Sequence, residues 1–202
     1  ISWALRWHRA FFRKGAGALR RTFKKEGARE LLTFSVDASP WGIGGVLFST
    51  TGEPVQRFAS KLTHLDEGAL CASIGESKYM TTWEGLAPLV ALRLWAARDK
   101  ELCAHARGDN ISALRAFAKG AAHSPSLNRL TMELSLGLAS LSYRVGMWEH
   151  VPGVTNDLAD ACSRKHAPEP TAWPSSLLPE MQVQAPSRTS SFWLTDLPPG
   201  DA

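Results

Sequence analysis

The stretch that most limits the fold lies near the start of the chain, at residues 34–48. Apolar and β-branched residues at 31–36 predict one strand, and Val-Leu-Phe at 46–48 predicts a second. Ser-Pro and three glycines lie between them, so the two strands form a hairpin. Asp37 then lies where a buried strand meets a glycine-rich bend. A carboxylate there needs a cation, a metal ion or a hydrogen-bond network, unless Asp37 only forms the turn.

The elements that follow alternate between strands and helices. A third strand at 55–60 completes an antiparallel meander. The later predictions are a helix at 82–98, a strand at 102–107, helices at 111–119 and from 124, a strand at 142–150, and a short helix at 157–166 capped by Asn156. Residues 61–80 have no clear period, and we interpret them as an insertion or long loop.

Composition limits the class of protein. With 202 residues, 44% of them hydrophobic, the chain can form one α/β domain with extensions, or two small domains. It has neither an apolar stretch of membrane-spanning length nor a secretory signal, so we expect an intracellular protein of the cytoplasm or nucleus, without a membrane partner. Three widely spaced cysteines favour neither a zinc site nor a disulfide framework. The chain begins at Ile1 rather than Met, as a fragment of a longer product would.

The positive charge is concentrated in an N-terminal arm, residues 1–30. The arm carries nine Lys or Arg against two Glu, whereas the remaining residues have a net charge of −3. Basic and aromatic residues alternate in it, as suits the phosphates and bases of nucleic acid. Its candidate contacts are Arg6, Arg9, Arg13 and Lys14. An amphipathic helix docked by its aromatic face on a missing neighbouring domain explains the same pattern equally well.

Three further acids lie at the ends of predicted elements. Glu84 opens the apolar helix, where Thr81 and Glu84 also fit a capping box. Asp109 follows a strand, where a turn or cap is the alternative. Asp160 lies one turn inside the last helix, whereas Asp157 at its start is explained by the helix dipole.

Four acids on separate elements can converge at one edge of a mixed sheet. Carboxylates that close repel one another, so cations must share the site. Hard oxygen ligands favour Mg²⁺ or Mn²⁺, and two such ions suit in-line attack of water on a phosphodiester. The residues therefore support the hypothesis of a metal-dependent nuclease.

The ordered motifs resemble the ribonuclease H domain of retroelement polyproteins and are similar to those of gypsy-like and DIRS-like retrotransposons. The resemblance covers about residues 31–166. Its most specific block is His-Val-Pro-Gly-x-x-Asn-x-x-Ala-Asp-Ala-x-Ser-Arg at 150–164. The other blocks are Val-Asp-Ala-Ser-x-x-Gly-x-Gly-Gly-Val-Leu at 36–47, Trp-Glu at 83–84, and Gly-Asp-Asn-x-x-Ala-Leu at 108–114.

The resemblance implies a ribonuclease H-like α/β fold, a five-stranded mixed sheet flanked by helices, that hydrolyses the RNA strand of RNA/DNA hybrids. By matching position, Asp37, Glu84, Asp109 and Asp160 are the expected ligands of two Mg²⁺ ions, with Mn²⁺ as an alternative. Asp37 would bridge both ions, and Asp157 competes with Asp160 for the fourth place. Ser39 and Asn110 are expected either to contact the nucleic-acid backbone or to orient the site.

The resemblance also implies a larger context. Residues 1–30 are similar to the connector from an upstream reverse transcriptase, and the chain lacks the polymerase Asp-Asp motif. Residues 167–202 contain seven prolines and many Ser and Thr, which predicts a disordered tail. Gly85 and Pro88 weaken the start of the Glu84 helix, and the loop at 153–155 lacks the His that some family members use. The alternative is therefore a non-catalytic module of this fold, from a decayed or repurposed element, that binds or tethers nucleic acid.

Overall fold

The computed structural model describes residues 3–14, 30–96, 102–140, 143–169 and 171–195, and a five-stranded sheet lies at the centre of this part of the chain. Its strands are β1 (Glu30–Ala38), β2 (Gly42–Phe48), β3 (Pro54–Lys61), β4 (Leu102–Gly108) and β5 (Tyr143–His150). Their order is β3-β2-β1-β4-β5. The first three strands are antiparallel neighbours, and β4 and β5 add in parallel. The predicted meander and the predicted five-stranded mixed sheet are confirmed.

Helices cover both faces of this sheet. They are α1 (Trp3–Lys14), α2 (His64–Leu70), α3 (Met80–Trp95), α4 (Ile111–Lys119), α5 (Pro125–Ser140) and α6 (Asp157–Arg164). Ile43 of β2 belongs to the main core with α3, whereas Val46 packs with Cys162 of α6. Because alternate strand residues face opposite sides, α3 and α6 lie on opposite faces of the sheet. Among the described helices, none is both long and apolar enough to cross a membrane.

Helix α3 is buried on nearly all sides between the sheet and α5. It begins at Met80, with Tyr79 at the N-cap and no capping side chain, so the predicted Thr81–Glu84 capping box is not formed. Gly85 allows close packing of α3 on α5, since a Cβ atom there would lie 2.7 Å from Cδ1 of Leu127. Pro88 lies inside the helix without ending it. Gly85 and Pro88, which weaken this helix locally, are therefore compatible with its packing.

The interpretation of residues 61–80 as a long loop is wrong, because the segment contains α2 and a 3₁₀ turn at Ser77–Tyr79. Thr63 and Asp66 form a capping box at the start of α2. Leu62 and Leu70 are buried in the core. A helix this short shows too few turns for a clear apolar period, which is why the pattern did not reveal it.

The predicted disorder of the tail is also corrected, because residues 171–195 pack on the domain. Leu177, Phe192 and Trp193 are buried. The N–H of Val183 donates to the carbonyl of Arg57 on β3 at 2.8 Å. Each of these buried residues fills its own site on the surface of the domain, and prolines lie between them. The buried positions therefore form no periodic pattern in the sequence.

Helix α1 docks by its aromatic face on α5 of the same chain. Trp7 donates from Nε1 to the carbonyl of Met132 at 3.3 Å and stacks on Phe11. The helix therefore docks by its aromatic face, as one of the two interpretations predicted, but on this domain rather than on a missing neighbouring domain. The four basic residues predicted to bind nucleic acid lie on this helix, and that role stays a prediction. The predicted continuation of the helix beyond Lys14 lies outside the described residues.

Candidate active site

Two glycines allow α6 to lie directly on the hairpin. A Cβ atom at Gly44 would lie 2.4 Å from the backbone nitrogen of Ser163, and one at Gly42 would lie 2.6 Å from its carbonyl oxygen. Ser39 completes this junction: its hydroxyl donates to the Ser163 carbonyl at 2.8 Å and accepts from the Gly42 N–H at 3.0 Å. The glycine pattern at the bend therefore positions the last helix beside the end of β1.

Ser39 is only 1% exposed, so contact with a nucleic-acid backbone is not available to it. Of its two predicted roles, the structure supports orientation of the site. Asn110 caps α4, accepting the N–H of Ala113 at its Oδ1 at 3.1 Å. Asn110 is half-exposed, and its contact with nucleic acid stays a prediction.

Three of the four predicted acids come together at one edge of the sheet. Asp37 is the second-last residue of β1, Glu84 lies in the second turn of α3, and Asp109 follows β4. One carboxylate oxygen from each lies within 4.8 Å of the others. Because β1 and β4 are parallel neighbours, their carboxyl ends reach the same edge, and α3 supplies Glu84 from the face above.

A tertiary hydrogen bond holds the carboxylate of Asp37. Ser163 donates from its hydroxyl to Oδ2 of Asp37 at 2.6 Å. The backbone N–H of Ala38 lowers the pKa of Glu84, against the larger effect of burial. Asp37 is 3% exposed and Glu84 is 8% exposed, so both carboxylates are buried. A turn residue would bond to residues close by in the sequence, whereas Asp37 bonds to Ser163 on another element.

Burial and mutual repulsion shift the protonation of the site. Burial, with the charges of Asp109 and Asp160, raises the pKa of Asp37 to about 7, although the Ser163 hydroxyl opposes the rise. Burial raises the pKa of Glu84 well above its usual range, with further contributions from Asp37 and Asp109. A bound cation would relieve this cost. A set of hard carboxylate oxygens at this spacing fits a divalent ion such as Mg²⁺ or Mn²⁺.

Asp160 lies beside this group but is held differently. Its Oδ1 accepts a hydrogen bond from Nε of Arg164, one turn later on α6, at 2.5 Å. Its charge still contributes to the raised pKa of Asp37. Asp157 is exposed and accepts the N–H of the adjacent Leu158, as its position at the helix start predicts. Of the two candidates for the fourth ligand, Asp160 and not Asp157 therefore lies beside the other acids. Its role as a ligand stays a prediction.

Asn156 acts in a way that the sequence did not reveal. It occupies the N-cap position of α6 without a capping side-chain bond. Instead its Nδ2 donates to the carbonyl of Val36 at 3.0 Å, which ties the start of α6 to β1 next to Asp37. Asn is so common as a helix cap that the sequence carried no signal for this tertiary role.

A basic groove of about 720 Å³ lies between α3, α4 and α5 and was not predicted from the sequence. Its walls are the start of α3, the exposed face of α4 and the start of α5. Its cationic lining residues are Lys78, Arg115 and Lys119, and His123 also lines it. Arg115 and Lys119 are four residues apart on α4 and so share one face of that helix. In the sequence, the signal for this groove is the spacing of these two cations on the side of α4 opposite its apolar residues.

The sequence matches no protein-family model and no curated protein. Among solved structures, RNase H1 from the halophilic archaeon Halobacterium salinarum is similar, with a TM-score of 0.48, 20% identity, and coverage of 65% of this chain and 93% of that chain. LC11-RNase H1 in complex with an RNA/DNA hybrid has a TM-score of 0.46 and 15% identity, covering 65% and 91%. The N-terminal RNase H domain from Mycobacterium tuberculosis has a TM-score of 0.45 and 14% identity, covering 65% and 95%. The architecture of this chain rests on its own strand order and directions.

Proposed function

We propose that this chain is a metal-dependent ribonuclease H that hydrolyses the RNA strand of RNA/DNA hybrids. The observation that carries the proposal is the group of three carboxylates, from β1, α3 and the end of β4, with oxygens within 4.8 Å of one another. Two of them are buried at a cost that a purely structural role does not explain. The products would carry 3′-hydroxyl and 5′-phosphate ends.

The residues divide the work as follows. Asp37, Glu84 and Asp109 would hold divalent ions, two Mg²⁺ or Mn²⁺ ions when Asp160 takes part. When bound, such ions activate water and stabilise the leaving oxygen of a phosphodiester. The hydroxyl of Ser163 fixes the Asp37 carboxylate before substrate arrives, which lowers the cost of reorganisation.

The basic groove supports a nucleic-acid substrate. Asp109 immediately precedes α4, and the face of α4 that carries Arg115 and Lys119 runs away from the acids. Thr81 and Thr82 line the same groove one turn before Glu84. A phosphate backbone bound along these cations would therefore pass into the carboxylate site.

Replacing both Arg115 and Lys119 by Gln is expected to weaken hybrid binding and to reduce the slope of log affinity against log salt by roughly 2, one unit for each phosphate that the protein no longer neutralises. The measurement is fluorescence anisotropy of a labelled hybrid at several salt concentrations. Lys61→Gln, an exposed cation on strand β3, is the control and should leave the slope unchanged. Equal slopes for the double variant and the wild type would remove the groove from the binding surface.

The test of the function itself is cleavage of an end-labelled RNA/DNA hybrid with Mg²⁺ or Mn²⁺, beside a chelated sample and Asp109→Asn. We expect RNA-strand cutting that needs metal and Asp109, and no cutting of a DNA duplex. Asp109 is half-buried, so its Asn variant should keep the fold, which circular dichroism checks. Binding of the hybrid without cleavage would support the non-catalytic module instead.

We extend the proposal to the context of the domain. The block at 150–164 supports an origin in a retrotransposon polyprotein, with a reverse transcriptase upstream of residues 1–30. Helix α1 would then connect the two enzymes while docked on α5 through Trp7.

A further inference from the structure

Arg164 occupies a place in the site that the proposed reaction leaves unexplained. Its Nε lies 2.5 Å from Oδ1 of Asp160, one turn earlier on α6. The other three acids face one another instead. Asp160 is therefore paired with a cationic side chain of the protein itself. The other three predicted metal ligands share a space that suits metal ions.

The charge of Arg164 reaches beyond this pair. The hydrogen bond to Asp160 raises the pKa of the Arg164 guanidinium, and the charges of Asp37 and Asp109 raise it further. In turn, Arg164 lowers the pKa of Asp37. Arg164 is thus a cation of the site as a whole and not only of its own helix.

Resting on the proposed function, we infer that Arg164 is a positioning residue that holds Asp160 out of the metal site until a phosphate group takes its place. Asp160 then joins Asp37, Glu84 and Asp109 only when nucleic acid is bound. The full set of four ligands is assembled by the substrate, so binding of the hybrid and of the last metal ion is coupled.

The geometry makes this exchange of partners feasible. The Arg164 side chain is 46% exposed and that of Asp160 is 33% exposed, so an incoming anion can reach the guanidinium. Exposed ion pairs four residues apart on a helix are weak. A guanidinium can bind a phosphate through two parallel hydrogen bonds, so a backbone phosphate is a strong competitor.

The competing explanation is that the pair only stabilises α6. A double-mutant cycle separates the two, because Arg164 acts on the metal through Asp160 in one case and not in the other. The four proteins are the wild type, Arg164→Gln, Asp160→Asn and the double variant. Calorimetric titration with Mn²⁺ alone, without nucleic acid, measures metal affinity and needs no cleavage.

We expect Arg164→Gln to tighten Mn²⁺ binding about fivefold, the scale of a partly exposed ion pair, and the same change to have less than about a twofold effect in the Asp160→Asn background. Arg164→Lys, which keeps the charge, should stay near the wild type. Arg107→Gln is the matched control, because the Arg107–Glu149 pair has similar exposure, 36% and 39%, at 2.9 Å. It should leave Mn²⁺ affinity unchanged.

A second titration adds a hybrid whose RNA strand is 2′-O-methylated and so resists cleavage. The hybrid should tighten Mn²⁺ binding by the wild type more than by Arg164→Gln. Equal effects of Arg164→Gln in both backgrounds, no effect in either, or no Mn²⁺ binding by the wild type would each overturn the inference. A cycle that behaves as expected in a protein that cuts no hybrid would support the positioning role and contradict the proposed activity, so the two failures are distinguishable.

Discussion

Asp37→Asn is expected to lower the rate of hybrid cleavage by more than about 100-fold, since even the loss of an outer partner of a metal ligand costs 10- to 100-fold. Asn keeps the size of the side chain and still accepts the Ser163 hydroxyl at its carbonyl oxygen. The fold should therefore survive the change. The loss should come from the missing negative charge at the centre of the site.

The same variant is expected to raise the stability of the metal-free protein at alkaline pH. Folding raises the pKa of Asp37 from 3.8 to about 7, so the native state binds this proton more tightly than the unfolded state does. The resulting stability is fully present below pH 3.8, declines as the pH rises to about 7, and is absent above it. Asn carries no such charge, so at pH 8 the variant should gain up to about 4 kcal/mol, or roughly 8–16 °C in Tm.

Thermal melts of both proteins in chelator, at pH 5 and pH 8, measure this effect. The difference in Tm should be larger at pH 8, and adding Mg²⁺ should raise the Tm of the wild type but not of the variant. Asp157→Asn, the same change at an exposed acid of α6, is the control and should alter neither Tm nor cleavage. Cleavage by Asp37→Asn at the wild-type rate, or a Tm difference independent of pH, would contradict the assignment of Asp37.

Ending the chain at residue 169 is expected to prevent stable folding, although the sequence pattern places the domain boundary near 166. The cut removes the buried side chains of Leu177, Phe192 and Trp193, each contributing about 1.5–3 kcal/mol. It also removes Arg188, whose Nε lies 2.7 Å from the fully buried Asp66. Leaving a buried charge unpaired costs about 3–5 kcal/mol, and the sum reaches the typical 5–15 kcal/mol stability of a domain.

A second buried carboxylate depends on the same segment. Glu133 accepts the backbone N–H groups of Leu194 and Thr195 at 2.8 and 2.7 Å, and it pairs with Arg93. Circular dichroism melts and size-exclusion chromatography of the truncated chain measure the outcome. A truncated chain with the Tm of the full chain would show that the segment adds nothing to stability.

Two single substitutions refine that experiment. Trp193→Ala should cost about 3–5 kcal/mol, because the ring is fully buried and lies against Arg129. Trp173 is exposed, although it contacts Arg57, and its replacement by Ala should cost less than about 1 kcal/mol. Denaturant titrations of the two variants compare a buried and an exposed Trp in one segment.

The central sheet and three of the acids could be predicted from the sequence because their signals are local. Alternating and apolar runs mark each strand, and glycines mark the hairpin at residues 39–45. Asp37 and Asp109 follow strands that pair in parallel, so their meeting needs only the strand ends and the topology. Glu84 depends on the one helix apolar enough to pack across that sheet.

Other parts of the site depend on contacts between residues far apart in sequence. Ser39 and Asn156 have the sequence context of a turn residue and a cap, but their side chains bond to Ser163 and Val36 across the fold. The pairing of Asp160 with Arg164 is visible as an i,i+4 spacing, yet its position beside the acids follows from α6 resting on Gly42 and Gly44.

By itself, the sequence determined the strand order of the hairpin, the apolar helix and the edge at which three carboxylates meet. The tertiary structure alone decided which polar side chains are buried and which group the Asp160 carboxylate faces. It also decided that residues 171–195 belong to the domain. The physical reason is that periodic patterns record the burial of a whole strand or helix. Single anchors such as Arg188 and Trp193 gain their energy from partners far away in the sequence, 122 residues in the case of Arg188 and Asp66, and leave no pattern along the chain.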